Sequence, residues 1–197
     1  MKEVTLLGLG PSRSVCPFDT EELWGTVDCL NRDDLRDRHF TKVFAFDTVD
    51  MYINDHSVKN TILGGAIDKA HELNIPLVST QDCGTERYPL REIVTKFKSS
   101  YFMPTISYMI AYALYYEYDR LFIYGIDAGP QWWYQLGKPY LTFWIGYAIA
   151  LGVQVLLGRG SLQWAYQPGI DGLPIAWVRE EYEKLYTDLF DAVVIQK

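Results

Sequence analysis

Short apolar runs alternate with segments of helical periodicity along most of the chain. The first run, residues 4–7, ends abruptly in glycines. Further runs of alternating or continuous apolar residues, bounded by polar or turn residues, predict additional strands. These lie at residues 25–31, 42–47, 75–80, 121–127 and 153–157. Between and after them, apolar residues at helical spacing predict helices at residues 57–73, 106–118, 139–151 and 175–190.

This alternation of strands and helices predicts an α/β protein with a Rossmann-like three-layer fold, in which a mostly parallel sheet has helices on both faces. The chain has 197 residues, of which 49% are hydrophobic, and such a length suits one well-filled domain better than two. We find no internal repeat and no low-complexity tract. The sequence therefore predicts a single domain over residues 1–197, in which residues 158–197 form a loop, serving as a lid or as a spacer, and a C-terminal helix.

The net charge of the chain limits the kinds of partner it could bind, and its cysteine content indicates its redox environment. The formal net charge of −7 argues against sequence-independent binding of nucleic acid, because such binding needs clustered Lys and Arg. Single phosphates can still be bound by local amides and one or two arginines. Cys16, Cys29 and Cys83 form no C-x-x-C pair, which suits free thiols in a reducing compartment. The N-terminal segment resembles neither a signal peptide nor a membrane span, so we expect a cytoplasmic protein without a membrane partner.

The turn after the first strand is the first candidate for ligand binding. Gly8 and Gly10 allow a sharp turn and close approach to the backbone amides, Pro11 fixes φ, and Ser12 offers a hydroxyl at a helix start. Amides in such a turn favour anions. The match to the dinucleotide motif G-x-G-x-x-G is partial, because Arg13 occupies the position of the third glycine. The turn is thus predicted to bind phosphate with these five residues, or to be a plain tight turn.

Polar residues at later strand ends extend this candidate site, since ligands of open parallel sheets bind beyond the carboxyl ends of the strands. Asp47 and Asp127 each end an apolar strand and could hold Mg²⁺ through carboxylate oxygens, or could instead cap the following turn. Other strand ends supply three predicted nucleotide contacts, namely Asn31, Thr80 and Gln81.

Two further segments are candidates for ligand or partner contact. Thr105 and Ser107 precede or begin a helix rich in Ala and Tyr, where either hydroxyl could cap the helix and Thr105 could contact an anion. The aromatic residues 132–134 could stack on a base or sugar, pack in the core, or bury against a second copy of the chain in a homodimer.

Other chemistries lack support in the sequence. His39, His56 and His71 share no ligand spacing with one another or with the cysteines, which argues against a zinc site. There is no G-x-S-x-G motif, so acyl transfer by a nucleophilic triad is not expected.

The order of these motifs resembles the superfamily of the archaeal 6-hydroxymethylpterin diphosphokinase MptE and the motility accessory factors, above all its phage-encoded members. The resemblance covers about residues 4–158 and rests on residues 7–12, Trp24–Gly25 with Asn31, residues 43–47, residues 101–113 and residues 123–127. Sialyltransferases of the Campylobacter type share the Gly-x-Gly-Pro-Ser start and the Gly-Ile-Asp strand end. They differ in having asparagine where this chain has Leu9 and a catalytic histidine late in the chain, where none follows His71. The resemblance implies a Rossmann-like fold that recognises a nucleotide or nucleotide-sugar.

Three functions remain open at this point. The first is a phosphoryl, diphosphoryl or glycosyl transferase that uses Mg²⁺ and, by resemblance, is phage-encoded and works in the host cytoplasm. Its catalytic residues are not identified by the sequence. The second is a protein that captures a nucleotide without turning it over, and the third is a structural protein that self-associates.

Overall fold

The computed structural model describes residues 1–47, 65–126 and 132–158, the last stretch with side chains from residue 136 onward. The predicted C-terminal helix at 175–190 lies outside these residues, as do the loop that precedes it and the first part of the helix predicted at 57–73.

Within the described residues, seven strands form one sheet in which every pairing is parallel. The strands are β1 Glu3–Leu7, β2 Leu23–Thr26, β3 Lys42–Ala45, β4 Leu77–Ser79, β5 Glu86–Arg87, β6 Arg120–Tyr124 and β7 Gln154–Leu157, in the spatial order β5-β4-β3-β2-β1-β6-β7. The helices are α1 Ala66–Glu72, α2 Leu90–Phe97, α3 Thr105–Tyr115 and α4 Trp132–Ala150, with 3-10 helices at Pro11–Val15 and Val27–Asn31. The predicted α/β fold is confirmed.

Both faces of the sheet are buried, each in its own hydrophobic cluster. On one face Trp24 and its neighbours pack against α2, α3 and α4, with the Trp24 and Tyr112 rings edge to face at 5.5 Å. On the other face Leu23 and its neighbours pack against α1 and the 3-10 helix Val27–Asn31. Successive residues of a strand point to opposite faces. The near-continuous apolar strands are therefore those of a sheet covered on both sides.

The strand order reverses between β1 and β6, and two glycines meet there. The N–H of Gly8 donates to the carbonyl of Tyr124 at 2.9 Å, and the N–H of Gly10 donates to the carbonyl of Gly125 at 2.7 Å. A Cβ on Gly125 would lie 2.2 Å from the Gly8 carbonyl oxygen, and one on Gly8 would lie 2.5 Å from the Gly125 oxygen. The absence of both side chains lets the two strand ends converge.

Two predicted elements differ from the structure in type or extent, the strand at 25–31 and the helix at 139–151. The strand expected at 25–31 ends at Thr26, and Val27–Asn31 is a 3-10 helix whose apolar side chains pack on α1. An apolar run as short as residues 25–31 fits both the repeat of a strand and the repeat of a helix, so the pattern does not distinguish the two elements. Helix α4 begins at Trp132 and continues through Pro139, where the prediction had placed the helix start.

Strand β5 and helix α2 were not predicted. β5 has only two residues, too few for a pattern. Helix α2 did have a signal, because Leu90, Ile93, Val94 and Phe97 follow helical spacing.

Two glycine-to-alanine variants at the strand reversal and a third between α4 and β7 separate the steric constraint from the backbone constraint. Gly152 has φ +84° and open space around it, so Gly152→Ala tests the backbone constraint alone, with an expected loss of about 1–2 kcal/mol. Gly8→Ala tests the clash, and Gly125→Ala combines the clash with φ +69°. We expect Gly125→Ala to lower the free energy of unfolding most, by about 3 kcal/mol or more. Urea unfolding measures all three, and equal losses for Gly125→Ala and Gly152→Ala would contradict the close approach.

Candidate functional site

The candidate site lies along the carboxyl edge of the sheet, centred on the reversal between β1 and β6. Because all strands are parallel, the segments that follow them emerge at one edge. An open cleft at the opposite edge, lined by residues such as Lys96, Glu117 and Tyr147, lies away from these strand ends.

The turn after β1 is held by its own polar side chains. Ser12 is buried, and its hydroxyl oxygen accepts the N–H of Gly125 at 2.8 Å. The Arg13 guanidinium donates to the carbonyl of Leu9 at 2.6 Å and pairs with Asp34 at 2.8 Å. Pro11 is exposed at the start of the 3-10 helix. The turn is thereby fixed against the end of β6.

The backbone amides of Gly8 and Gly10, which the sequence predicts to contact phosphate, have partners within the protein. Both amides donate to carbonyls at the end of β6, so they are engaged within the protein. The lack of a side chain at Gly8 has a physical reason other than ligand approach, namely the contact with Gly125.

Asp28 is an acidic residue at the same edge of the sheet that the sequence analysis does not single out. It lies in the 3-10 helix that follows β2, and its side chain is half-buried. Burial raises the pKa of Asp28, and the charge of Asp47 raises it further, while a hydrogen bond with the Thr26 side chain opposes the shift. It was missed because residues 25–31 were interpreted as a strand. The available signal was an acidic residue between the apolar Val27 and Cys29.

Asp47 connects this carboxyl group to two other elements. Its side chain is exposed, and its backbone carbonyl accepts the Gln81 side-chain amide at 2.6 Å. Burial raises the pKa of the Tyr108 hydroxyl on α3, with the charge of Asp47 adding to the effect. The Tyr108 ring stacks on Phe46 at 4.0 Å. The structure therefore brings Asp28, Asp47, Gln81 and Tyr108 into one neighbourhood.

The other predicted contacts are more dispersed along the edge. Asn31 ends the 3-10 helix after β2, Thr80 follows β4, and Thr105 is the first residue of α3; all three are half-buried. The predicted capping of α3 by Thr105 or Ser107 is wrong. The N-cap residue is Pro104, and the Ser107 hydroxyl donates to its carbonyl at 2.7 Å.

Two of the remaining predictions concern residues that the structure does not describe, and one concerns the cysteines. Asp127 lies outside the described residues, as do the side chains of residues 132–134. The three cysteines are free, as predicted.

The predicted metal pair can be tested against the strand order. Asp47 follows β3 and Asp127 follows β6, and β2 and β1 lie between those strands. Three interstrand spacings amount to about 14 Å, so the two carboxylates share an ion only if their loops bend toward each other. Across the described ranges no group of three or more His, Cys, Asp or Glu side chains could hold a metal. Mg²⁺ commonly uses one or two carboxylates and completes its shell with water and phosphate oxygens, so the exposed Asp47 carboxylate fits such a role.

Comparison with protein-family models, with curated proteins and with solved structures found no significant match. None of the helices within the described ranges has both the length and the apolar character needed to cross a membrane.

Replacement of Ser12 tests whether its hydroxyl fixes the turn. Ser12→Ala leaves the N–H of Gly125 without this acceptor in a buried position, and we expect a loss of about 1–3 kcal/mol in the free energy of unfolding. The matched control is Ser14→Ala, at an exposed position of the same 3-10 helix. Denaturant unfolding compares them, and equal stability of the two variants would contradict this role.

Replacement of Asp28 tests how much the ionisation of its half-buried carboxyl group lowers stability. Because the folded-state pKa is raised, the folded protein binds this proton more tightly than the unfolded chain does, and stability falls as pH rises through the folded pKa. Asp28→Asn removes that penalty, so we expect the variant to be more stable than the native protein at pH 7 and the difference to shrink toward pH 4. Thermal unfolding as a function of pH measures this, with Asp37→Asn, at an exposed carboxylate, as control. A pH-independent loss of stability in Asp28→Asn would count against it.

Proposed function

We propose that this protein binds a nucleotide or nucleotide-sugar at the carboxyl edge of its sheet and transfers a phosphoryl, diphosphoryl or glycosyl group from it. The observation that carries the proposal is the reversal of strand order between β1 and β6, with a glycine turn at the end of each strand. In open α/β sheets this is the crevice in which nucleotides bind. The resemblance of the sequence motifs to a diphosphokinase superfamily supports the same substrate class.

The charges at the site indicate how an anionic ligand would be accommodated. Asp28 and Asp47 both carry carboxylates at the edge where the phosphates would lie, and the whole chain is acidic. A divalent cation would offset the repulsion. In this proposal Asp47 holds Mg²⁺ together with phosphate oxygens, and Asp127 is its second protein ligand if the loop after β6 reaches it. Bound Mg²⁺ would supply neutralisation of the charge that develops on the transferred group.

The remaining groups would position the substrate. Group transfer from a nucleotide depends mainly on alignment and charge stabilisation, so a protein nucleophile is not required. The Gln81 amide holds the backbone at Asp47, and Ser12 holds the turn against β6, so both elements are fixed before a ligand arrives. Such fixed positioning lowers the entropy that binding and reaction would otherwise cost.

Capture of a nucleotide without turnover is the second candidate function. It is favoured by one observation: the Arg13 guanidinium, which could neutralise a phosphate, is engaged by Asp34 and by the carbonyls of Leu9 and Gly10. Prolonged incubation with a nucleotide, followed by analysis of the recovered ligand, separates the two. Intact ligand supports capture, and a transferred or hydrolysed product supports the enzyme.

Calorimetric titration tests the proposed function directly. We expect at least one nucleotide or nucleotide-sugar to bind at micromolar to millimolar concentration, and to bind more tightly when Mg²⁺ is present. Asp47→Asn should lose most of the Mg²⁺ effect because it removes a hard anionic ligand of the ion. Asp37→Asn, which removes an exposed carboxylate elsewhere, should retain it. If no nucleotide bound at millimolar concentration, the proposal would fail.

A further inference from the structure

We propose that residues 175–190 dock as an amphipathic helix on a sheet face formed by Thr5 of β1, Phe122 of β6 and Leu156 of β7. These three residues are called the central row below. The inference goes beyond the proposed function, because it concerns a surface below the carboxyl edge and holds whether or not a nucleotide binds.

The central row crosses three neighbouring strands in register. Thr5 pairs with Phe122, and Phe122 pairs with Leu156. The strand residues on either side of each member pack in the cluster formed with α2, α3 and α4, as Leu121 and Ile123 do beside Phe122. Because successive residues of a strand point to opposite faces, the central row lies on the face away from these three helices.

The central row is buried more deeply than the described residues around it explain. Thr5 is 1% exposed and Leu156 is 5% exposed. Leu156 nevertheless belongs to neither hydrophobic cluster of the described residues. The Thr5 hydroxyl oxygen is buried as well, and within the described ranges it has no hydrogen-bond partner. A sheet face loses contact with water when another layer packs on it, so a further element covers the central row.

The described helices of this face lie at other places on it. Helix α1 contacts β4 and the 3-10 helix Val27–Asn31, and that 3-10 helix contacts β2 and β3. The 3-10 helix Pro11–Val15 contacts β6, and its Ser12 bonds to Gly125 just beyond the carboxyl end of that strand. The layer over the central row therefore comes from outside the described ranges.

The course of the chain favours the segment after β7 as this layer. Residues 48–64 connect β3 with α1, which lies at β4, and residues 127–131 connect β6 with α4 on the opposite face. Residues 159–197 instead follow directly on β7, which carries one member of the central row. Residues 159–174 can span up to about 50 Å when extended. Strand β1 lies two interstrand spacings from β7, about 10 Å, so the connection is long enough.

The sequence of the segment supplies the matching surface. Apolar residues recur at helical spacing and form one stripe, namely Ile175, Val178, Tyr182, Leu185 and Leu189. Lys184 falls on the opposite side of such a helix. An amphipathic helix is stabilised when its apolar stripe is buried against another apolar surface, and the central row is one. The Tyr182 hydroxyl also offers a hydrogen-bonding group for the buried Thr5 oxygen.

The first experiment is disulfide formation in the full chain. Leu156→Cys is combined in turn with a cysteine in the stripe, on a Cys83→Ser background because Cys16 and Cys29 are buried. The stripe variants are Val178→Cys, Tyr182→Cys and Leu185→Cys. The matched control within the segment is Lys184→Cys, and the control surface is Phe143→Cys in place of Leu156→Cys, at an exposed position of α4. We expect at least one stripe pair to form an intramolecular disulfide at least about tenfold faster than either control, because the bond needs the two Cα atoms close together.

The second experiment measures protection of the surface. Iodoacetamide alkylates Leu156→Cys in the full chain, with or without a charge in the segment. Leu185→Asp should speed alkylation at least about tenfold, because a charge in the stripe opposes its burial, whereas Lys184→Asp should change the rate by about twofold or less. Circular dichroism and thermal unfolding check that each variant is folded. The half-buried Phe122→Cys replaces Leu156→Cys in both experiments if Leu156→Cys does not fold.

Each contrary result has its own meaning. Disulfides that form only between two chains overturn the inference, because a second copy would then cover the central row. Faster bonding of the stripe to Phe143→Cys overturns it as well, since the segment would pack on α4 instead. Equal rates for the stripe and Lys184→Cys, or alkylation unchanged by Leu185→Asp, leave the segment without contact to the central row and also overturn it. None of these results depends on nucleotide binding, which the calorimetric titration tests separately.

Discussion

The close backbone contact between Gly8 and Gly125 is the constraint on which the rest of the structure depends. It joins the two strands between which the strand order reverses, and it leaves no room for a Cβ on either residue. The neighbouring hydrogen bonds, from Gly10 to Gly125 and from Gly125 to Ser12, repeat the same connection. The turn after β1 is therefore part of the sheet edge rather than a loose loop. Whatever binds at this edge meets a surface that is already formed.

One carboxyl group at that edge, that of Asp28, lies in surroundings that act on its ionisation in both directions. Burial and the charge of Asp47 raise its pKa, while hydrogen bonds from the Thr26 side chain and from its own backbone oppose that shift. Perturbed ionisable groups gather at functional sites because function needs them where stability does not. Ser12 and Arg13 have structural roles, because each forms a hydrogen bond with a backbone group of the protein itself.

The helical wall beside the carboxylates is built from stacked rings. Phe46 after β3 stacks on Tyr108 of α3, which stacks in turn on Phe102, and Phe102 stacks on Trp144 of α4. The Trp144 indole N–H donates to the carbonyl of Tyr101 at 2.8 Å. This continuous stack joins the sheet edge to two helices. It fixes Tyr108 near Asp47 through packing that extends well beyond the site.

The sequence by itself determined the fold class and the location of most strands, because apolar runs of a sheet buried on both faces are visible without tertiary information. It also located the turn at Gly8 and the exposed Asp47, since glycine and aspartate at strand ends are local signals. It could not determine which ends lie side by side. The pairing of β1 with β6, a contact across more than a hundred residues, decided that Gly8 serves close packing. The same strand order separated Asp47 from the strand that leads to Asp127 and brought Asp28 beside Asp47. Strand order depends on which faces pack together, a property of the whole sheet that no local pattern encodes.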